Sequence, residues 1–583
     1  MKIRNKLVFL IGILCSLNTI SVRAASPLKI NVSGVDNIIE ESIKEELKLS
    51  FESWSHLSPE TREARLIEVK QRIAHTLEPY GYYSSNINLS YAVQPQHEIL
   101  KINIELGPPV KISSFHWSIS GSGEFEKDLN ELFNTFPLSP GKILNHAMYE
   151  KMKREILATA YFAGYVKARF TQHDIYVDLK KHEAEIHLHL DTDQLYKFGN
   201  ITFTDDYFSQ YYLNRYVTFK PGDHFSPDAL LTLQRQLTLS DQFSSIFIHQ
   251  IPVETDPEIP IKIQTQRAKP NKYTFGVGYG TDTGARGQAG WERRWINRHG
   301  HRLLMQGSLS EVYNQGYIEY IIPGKNPIFD QITFSVNGVE DEFSENESRY
   351  WQWGLSEKKR LSEWERTFSL YYRTEHFSEF KDTSEKKEKL LLPSVELSRS
   401  KKDNVTNPTS GYFFNIKLIG SIDTLISDAS FAQLTAKFNW LKTFSNQHAL
   451  LIRSEWGFTA PDDISKLPLS MRFYAGGDNS LRGFGYRTLP INRNDSSQKV
   501  SVGGAYKAVG TFEWSYKIRH PFGISTFIDF GNAFLNRHDP IEVGAGVGAR
   551  WHTPIGALKI DLAKPLTRGG NGWRIHVTFG TGL

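Results

Sequence analysis

Arg482 lies in "GGDNSLRGFGY", a polar, glycine-rich stretch from Gly476 to Tyr486 between segments that alternate like strands. By composition the stretch reads as an exposed turn. A guanidinium presents a planar fork of donors that fits a carboxylate at two points, so the chemistry open to Arg482 is charge-assisted pairing. Three later acids suit it. Glu513 stands opposite in parity to Phe512 and Trp514, Asp529 to Ile528 and Phe530, and Asp561 to Leu558, Ile560 and Leu562. Each therefore belongs to the polar face of its strand. An arginine folded inward from a long preceding loop would reach them, and the glycines beside it would permit close backbone approach. A solvated surface arginine fits the same spacing.

Signals for covalent chemistry are poor. "HEAEIH" resembles a zinc helix motif, but His182 and His187 are one residue too far apart and the segment alternates like a strand. His187 and His189 share a strand face, which suits a metal ligand pair or two solvated histidines. "GVGYG" from Gly276 is followed by no helix and cannot be a phosphate loop. No nucleophile elbow and no Walker lysine motif occurs, and the acids form no acid–base pair. We expect no catalytic residue, no metal and no cofactor.

The elements that must carry these acids begin at Tyr273. "YTFGVGYG" sets Tyr273, Phe275, Val277 and Tyr279 against Gly276, Gly278 and Gly280, and "WRIHVTF" sets Trp573, Ile575, Val577 and Phe579 against Arg574, His576 and Thr578. Period two with one apolar, aromatic face is strand grammar. A soluble sandwich shares it. A membrane barrel is favoured because ten of the 12 tryptophans, all but Trp54 and Trp117, follow residue 272, as aromatic girdles require. The opposite face also carries charge and glycine instead of core residues. We count about sixteen such segments, an even number as bacterial barrels use.

Before Tyr273 the chain repeats. "SPGKILNHAMYEKMKREIL" from Ser139 and "KPGDHFSPDALLTLQRQL" from Lys220 both run from Pro-Gly through a polar cap, Asn145 or Ser226, into an amphipathic helix. Gly81-Tyr82 and Gly164-Tyr165 form a second echo. "ILKINIEL", "EAEIHLHL" and "IPIKIQTQ" close three α+β units at 25–107, 108–195 and 196–268. The first unit lacks the Pro-Gly opening. The third replaces Gly-Tyr with "DQF" from Asp241.

Residues 1–24 read as an export signal. Lys2, Arg4 and Lys6 precede an apolar run, and Val22 and Ala24 suit a cleavage site. Cys15, the single cysteine, falls within it, so the mature chain has no thiol chemistry. Four of the 68 basic residues also lie there, leaving 64 against 64 acidic ones. A neutral mature chain gives no reason to expect nucleic acid as a partner.

"GGDNSLRGFGY" resembles the sixth extracellular loop of the BamA/TamA superfamily of outer-membrane assembly and secretion barrels. "GTFEW", "FIDFGNAF", "VGAGVGARWHTPIGALKIDLAKPL" and the terminal strand extend the likeness. The resemblance implies α+β POTRA modules (βααββ) in the periplasm, followed by a transmembrane 16-stranded antiparallel β-barrel over 269–583 in the outer membrane. Three modules point to the TamA branch. It further implies a latch at Arg482, Gly483 and Phe484 that meets Glu513 and Asp529, with Asp561 a weaker candidate. A weakly paired lateral seam would join the first and last strands at Tyr273, Phe275, Gly276, Gly278, Gly280, Ile575, Val577 and Phe579. The "GTGL" tail would bend inward and shorten it, and a disulfide tether between Gly276 and Thr578, both changed to Cys, would hold the seam shut.

The function implied is insertion or secretion of β-barrel or autotransporter proteins through that seam. Its partners would be unfolded outer-membrane substrates, outer-membrane lipid and a TamB-type, inner-membrane-anchored protein held at the first module. The alternative is two-partner-type secretion of a polypeptide through the barrel lumen.

Overall fold

The computed structural model describes residues 28–48, 54, 57–93, 98–251, 256–343, 346–379, 384–404, 408–445, 447–489, 503–535, 538–553, 556–567 and 572–580. The expected export signal over residues 1–24, with Cys15, and the expected inward bend of the tail beyond Gly580 lie outside the described residues. The chain forms two compact units. One comprises residues up to Phe198 with 222–228 and 253–259, the other 199–221, 229–252 and everything from Pro260.

Three times the chain runs strand, helix, helix, strand, strand. The first module has strands Leu28–Ser33, Asn86–Val93 and Glu98–Glu105 with helices Asn37–Lys48 and Pro59–Leu77. In the second, the strands are Lys111–Ser120, Arg169–Asp178 and Glu183–Asp191 and the helices Lys127–Asn134 and His146–Phe162. The third has strands Lys197–Phe203, Phe243–Gln250 and Glu258–Arg267 with helices Gln210–Asn214 and Pro227–Leu239. In every sheet the strand last in sequence is central. In the first two it runs parallel to the first strand and antiparallel to the second. That position explains why these strands alternate so cleanly. Leu100, Ile102 and Ile104 face the first core, and Ala184, Ile186, Leu188 and Leu190 the second.

The repeated Gly-Tyr marks a joint. Gly81 and Gly164 have φ of 89° and 100°. A Cβ would strike the Leu144 carbonyl oxygen at 2.7 Å and the Phe225 carbonyl oxygen at 2.9 Å. Their own carbonyls accept the N–H of Val110 at 2.8 Å and of Tyr196 at 3.1 Å, tying each helix end to the start of the following module. Asp241 takes this place in the third module, again left-handed at φ 57°. Its carboxylate meets Lys272 Nζ at 2.7 Å and Arg294 Nε at 3.2 Å. Burial would raise this carboxyl, but the two cations hold it below its ordinary value. An acid thus replaces glycine where the next neighbour is the barrel.

Sixteen antiparallel strands follow, each hydrogen-bonded to the next, from the first, Asn271–Gly280, to the last, Arg574–Gly580. Phe275, Trp353, Trp514, Val547 and Ile560 stay exposed on the outer face, as a lipid-facing surface requires. The wall is uneven. The first strand has 10 residues and the last 7, against 16 in the sixth, Asn346–Leu361, and 17 in the eighth, Lys386–Lys402. Among the described residues the last strand is the shortest of the sixteen.

Candidate functional site

Register fixes which side chains share the lumen. In the twelfth strand, Tyr506–Arg519, Glu513 lies opposite Phe527 of the thirteenth, Phe522–Phe534. Asp529 of the thirteenth lies opposite Gly544 of the fourteenth, Glu542–Thr553. Gly548 lies opposite Asp561 of the fifteenth, Gly556–Pro565, and Asp561 opposite His576 of the last. Because parity is constant along each ladder, the three acids converge on one patch of wall.

The loop between the eleventh strand, His448–Pro461, and the twelfth delivers Arg482 to that patch. Its Nε and Nη2 donate to the two Asp529 oxygens at 2.7 and 2.9 Å, and its backbone N–H adds a third bond at 3.0 Å. Nη1 donates to Glu513 at 2.9 Å and to Asp561 at 2.8 Å. The guanidinium carbon lies 3.4 Å from the centroid of the Phe527 ring. Arg482 therefore meets all three acids, with Asp529 the principal acceptor. Asp561 is a full member of the cluster, not a lesser one.

A residue that spacing left unassigned joins the cluster. Arg550 donates to Glu513 through Nη2 at 2.7 Å and Nε at 3.2 Å, and to Asp561 through Nη1. Alternation in "VGAGVGARWH" puts Arg550 on the polar face, but nothing in spacing singles it out. Two guanidiniums thus hydrogen-bond three carboxylates, all five residues being at most 4% exposed, and Arg453 and Lys559 lie within electrostatic reach of the same acids. Such a cluster holds only while every partner stays.

The glycines of "VGAGVGARWH" make room for it. A Cβ on Gly544 would fall 2.0 Å from the Arg482 carbonyl oxygen, and one on Gly548 would fall 1.9 Å from Asp561 Oδ1. Elsewhere the loop is anchored by apolar contacts. Ala475, Leu481 and Leu489 pack with Val509 and Ala533, and Ala475 and Leu489 exchange backbone bonds at 3.0 and 3.1 Å. Phe484 packs beside them. Upstream, Leu467 and Met471 bury against Leu390, Leu392, Ile419 and Phe431, and Ser470 is held by Glu375. From Leu467 to Leu489 the loop is packed like a core segment.

Tyr273, Phe275, Ile575 and Phe579 point outward and are exposed. Cβ atoms at Gly276 and Gly278 would meet the side chains of Gln288 at 2.7 Å and Arg286 at 2.8 Å, so these glycines leave space for lumenal groups of the second strand. Among the described residues no ladder joins the first strand to the last. The Val577 N–H instead donates to Thr281 Oγ1 at 3.1 Å, and Gly280 approaches Val577. The contact lies at the turn after the first strand, which strand parity does not reach. In the second module His189 is held by Ser118 and Ser120 while His187 faces His116, so the two do not converge on a metal.

A transmembrane barrel of this strand number, carrying α+β modules before it and an inward-folded loop six, defines a class of outer-membrane protein. Residues 268–583 match the Omp85 superfamily domain, and the chain belongs to that superfamily. It is 23% identical over 383 residues to the outer membrane protein assembly factor BamA of Nitratidesulfovibrio vulgaris, covering 61% of this chain and 47% of that one. It is 24% identical over 279 residues to BamA of Buchnera aphidicola, covering 46% and 44% respectively. The chain spans about half the length of the curated relatives it matches. Among solved structures, BamA from Haemophilus ducreyi lacking POTRA domains 1–3 superposes with a TM-score of 0.67 at 16% identity. That match covers 81% of this chain and 99% of the other, and it supports the fold.

Proposed function

We propose that this protein is a TamA-type assembly and translocation factor of the outer membrane, with three POTRA modules over 25–107, 108–195 and 196–268 and a barrel over 269–583. It inserts or secretes β-barrel or autotransporter proteins through a lateral seam. The observation that carries the reading is the meeting of a short first strand and a shorter last strand without a ladder. An unfolded barrel substrate has unpaired strand edges that cannot sit alone in lipid. An opened seam would offer a free edge, and the incoming strand would pair by β-augmentation until its own barrel closes. Loop six, latched by Arg482, Gly483 and Phe484 onto Glu513, Asp529 and Asp561, braces the wall beside the moving edge. A TamB-type, inner-membrane-anchored partner docks on the first module.

Site-specific crosslinking tests this reading. A photoreactive residue at Phe275, on the first strand, should capture an arrested unfolded barrel substrate. One at Gln288, facing the lumen, should not. Capture only at Gln288 would replace the seam with secretion through the lumen, as in two-partner systems.

A further inference from the structure

Near the seam, loop six makes a second connection that does not involve Arg482. The Asp478 carboxylate lies between the two barrel edges. Its Oδ1 accepts the Thr281 hydroxyl at 2.8 Å and the His576 Nδ1–H at 2.6 Å. Thr281 follows the first strand and His576 is in the last. The Thr281 hydroxyl also accepts the Val577 N–H. From the other side the Asp478 N–H donates to Asp282 Oδ2 at 2.6 Å. A Cβ on Gly477 would lie 2.4 Å from that same Asp282 oxygen, so glycine is what lets the loop come so close. Asp478 and His576 are buried.

The direction of each hydrogen bond is determined. The Gly483 N–H donates to His576 Nε2 at 2.9 Å, so Nε2 carries the lone pair and the proton sits on Nδ1. An alternative is a cation site, since Asp282, Asp478 and His576 offer ligand atoms within 4.8 Å of one another. The tautomer opposes it: the His576 nitrogen facing the two acids holds a proton, and the other is engaged by a backbone N–H. The chain Val577 N–H, Thr281 O–H, Asp478 carboxylate, His576 ring and Gly483 N–H is complete without an ion.

We infer that Asp478 is a clasp by which loop six holds the first and last strands together at the end of the seam. Backbone pairing does not join them there, so the clasp supplies the tie. Opening sideways requires loop six to release one edge. The role rests on the seam reading proposed above, and Asp478 is a positioning residue for that step.

Hydrogen exchange on the full-length protein in lipid nanodiscs, without substrate, reads the clasp by itself. Asp478→Ala and Thr281→Val should each speed exchange across 572–580 about tenfold, as expected when one or two seam-side bonds are lost. Exchange across 542–553 should stay as in the wild type. Heat-modifiable gel mobility reports whether each barrel is folded, and Thr281→Val removes only a hydroxyl should Asp478→Ala fold poorly. Unchanged exchange at 572–580 in a folded variant would overturn the clasp. Faster exchange there with unaltered substrate assembly would support the clasp and count against the assembly reading.

Discussion

At the residue scale, Arg482 behaves as the hub of a buried ion cluster. Five donor contacts to three carboxylates make it hard to replace. Arg482→Ala would strip Asp529 of its guanidinium donor and leave Glu513 and Asp561 to Arg550, and breaking a buried pair in this way costs about 3–5 kcal/mol. The barrel's urea midpoint should fall, and protease should cut within loop six. Arg482→Lys should rescue only part, because a point charge cannot span Asp529 at two oxygens while reaching the others. Among the acids, Asp529→Ala should free loop six more than Asp561→Ala, since Asp529 takes three of the five contacts. Equal proteolysis of the two variants would contradict that ranking. The three acids were legible in the sequence because strand parity is a local rule. Arg550 was not, because a lone lumenal arginine has no signature until register places Glu513 and Asp561 beside it.

At the element scale, the fourteenth strand illustrates what alternation leaves unsaid. Alternation places its glycines on the polar face without a role, yet Gly544 and Gly548 form the recess that receives loop six and its acid. Gly548→Ala should lower stability by about 1–3 kcal/mol through overpacking against Asp561. Gly316→Ala, where nothing lies within 4 Å of the added carbon, should leave it unchanged. A denaturant series on both variants checks the contrast. The joint after the third module follows similar logic. Sequence comparison registers "DQF" as a missing Gly-Tyr, whereas Asp241 keeps the left-handed turn and adds a charge contact to Lys272 and Arg294. Asp241→Ala should speed hydrogen exchange in the turn 294–301 by a few-fold, a modest effect because the pair is partly exposed. Wild-type exchange in that turn would mean the contact contributes nothing.

At the scale of the whole molecule, the sequence showed a barrel, its strand number and the modules before it, because period two and internal repeats survive without tertiary information. The seam was harder to read. Its contact runs through Thr281 and Asp478, residues in a turn and a loop, where alternation says nothing about partners. On the proposed reading, a substrate is assembled only when the seam opens. The direct measurement places cysteines at Thr281 and Val577, joined by a short reversible thiol crosslink, in protein reconstituted with an unfolded barrel substrate. We predict that the crosslinked protein fails to assemble substrate and regains activity when the link is reduced. Equal assembly in the linked and reduced states would contradict lateral opening.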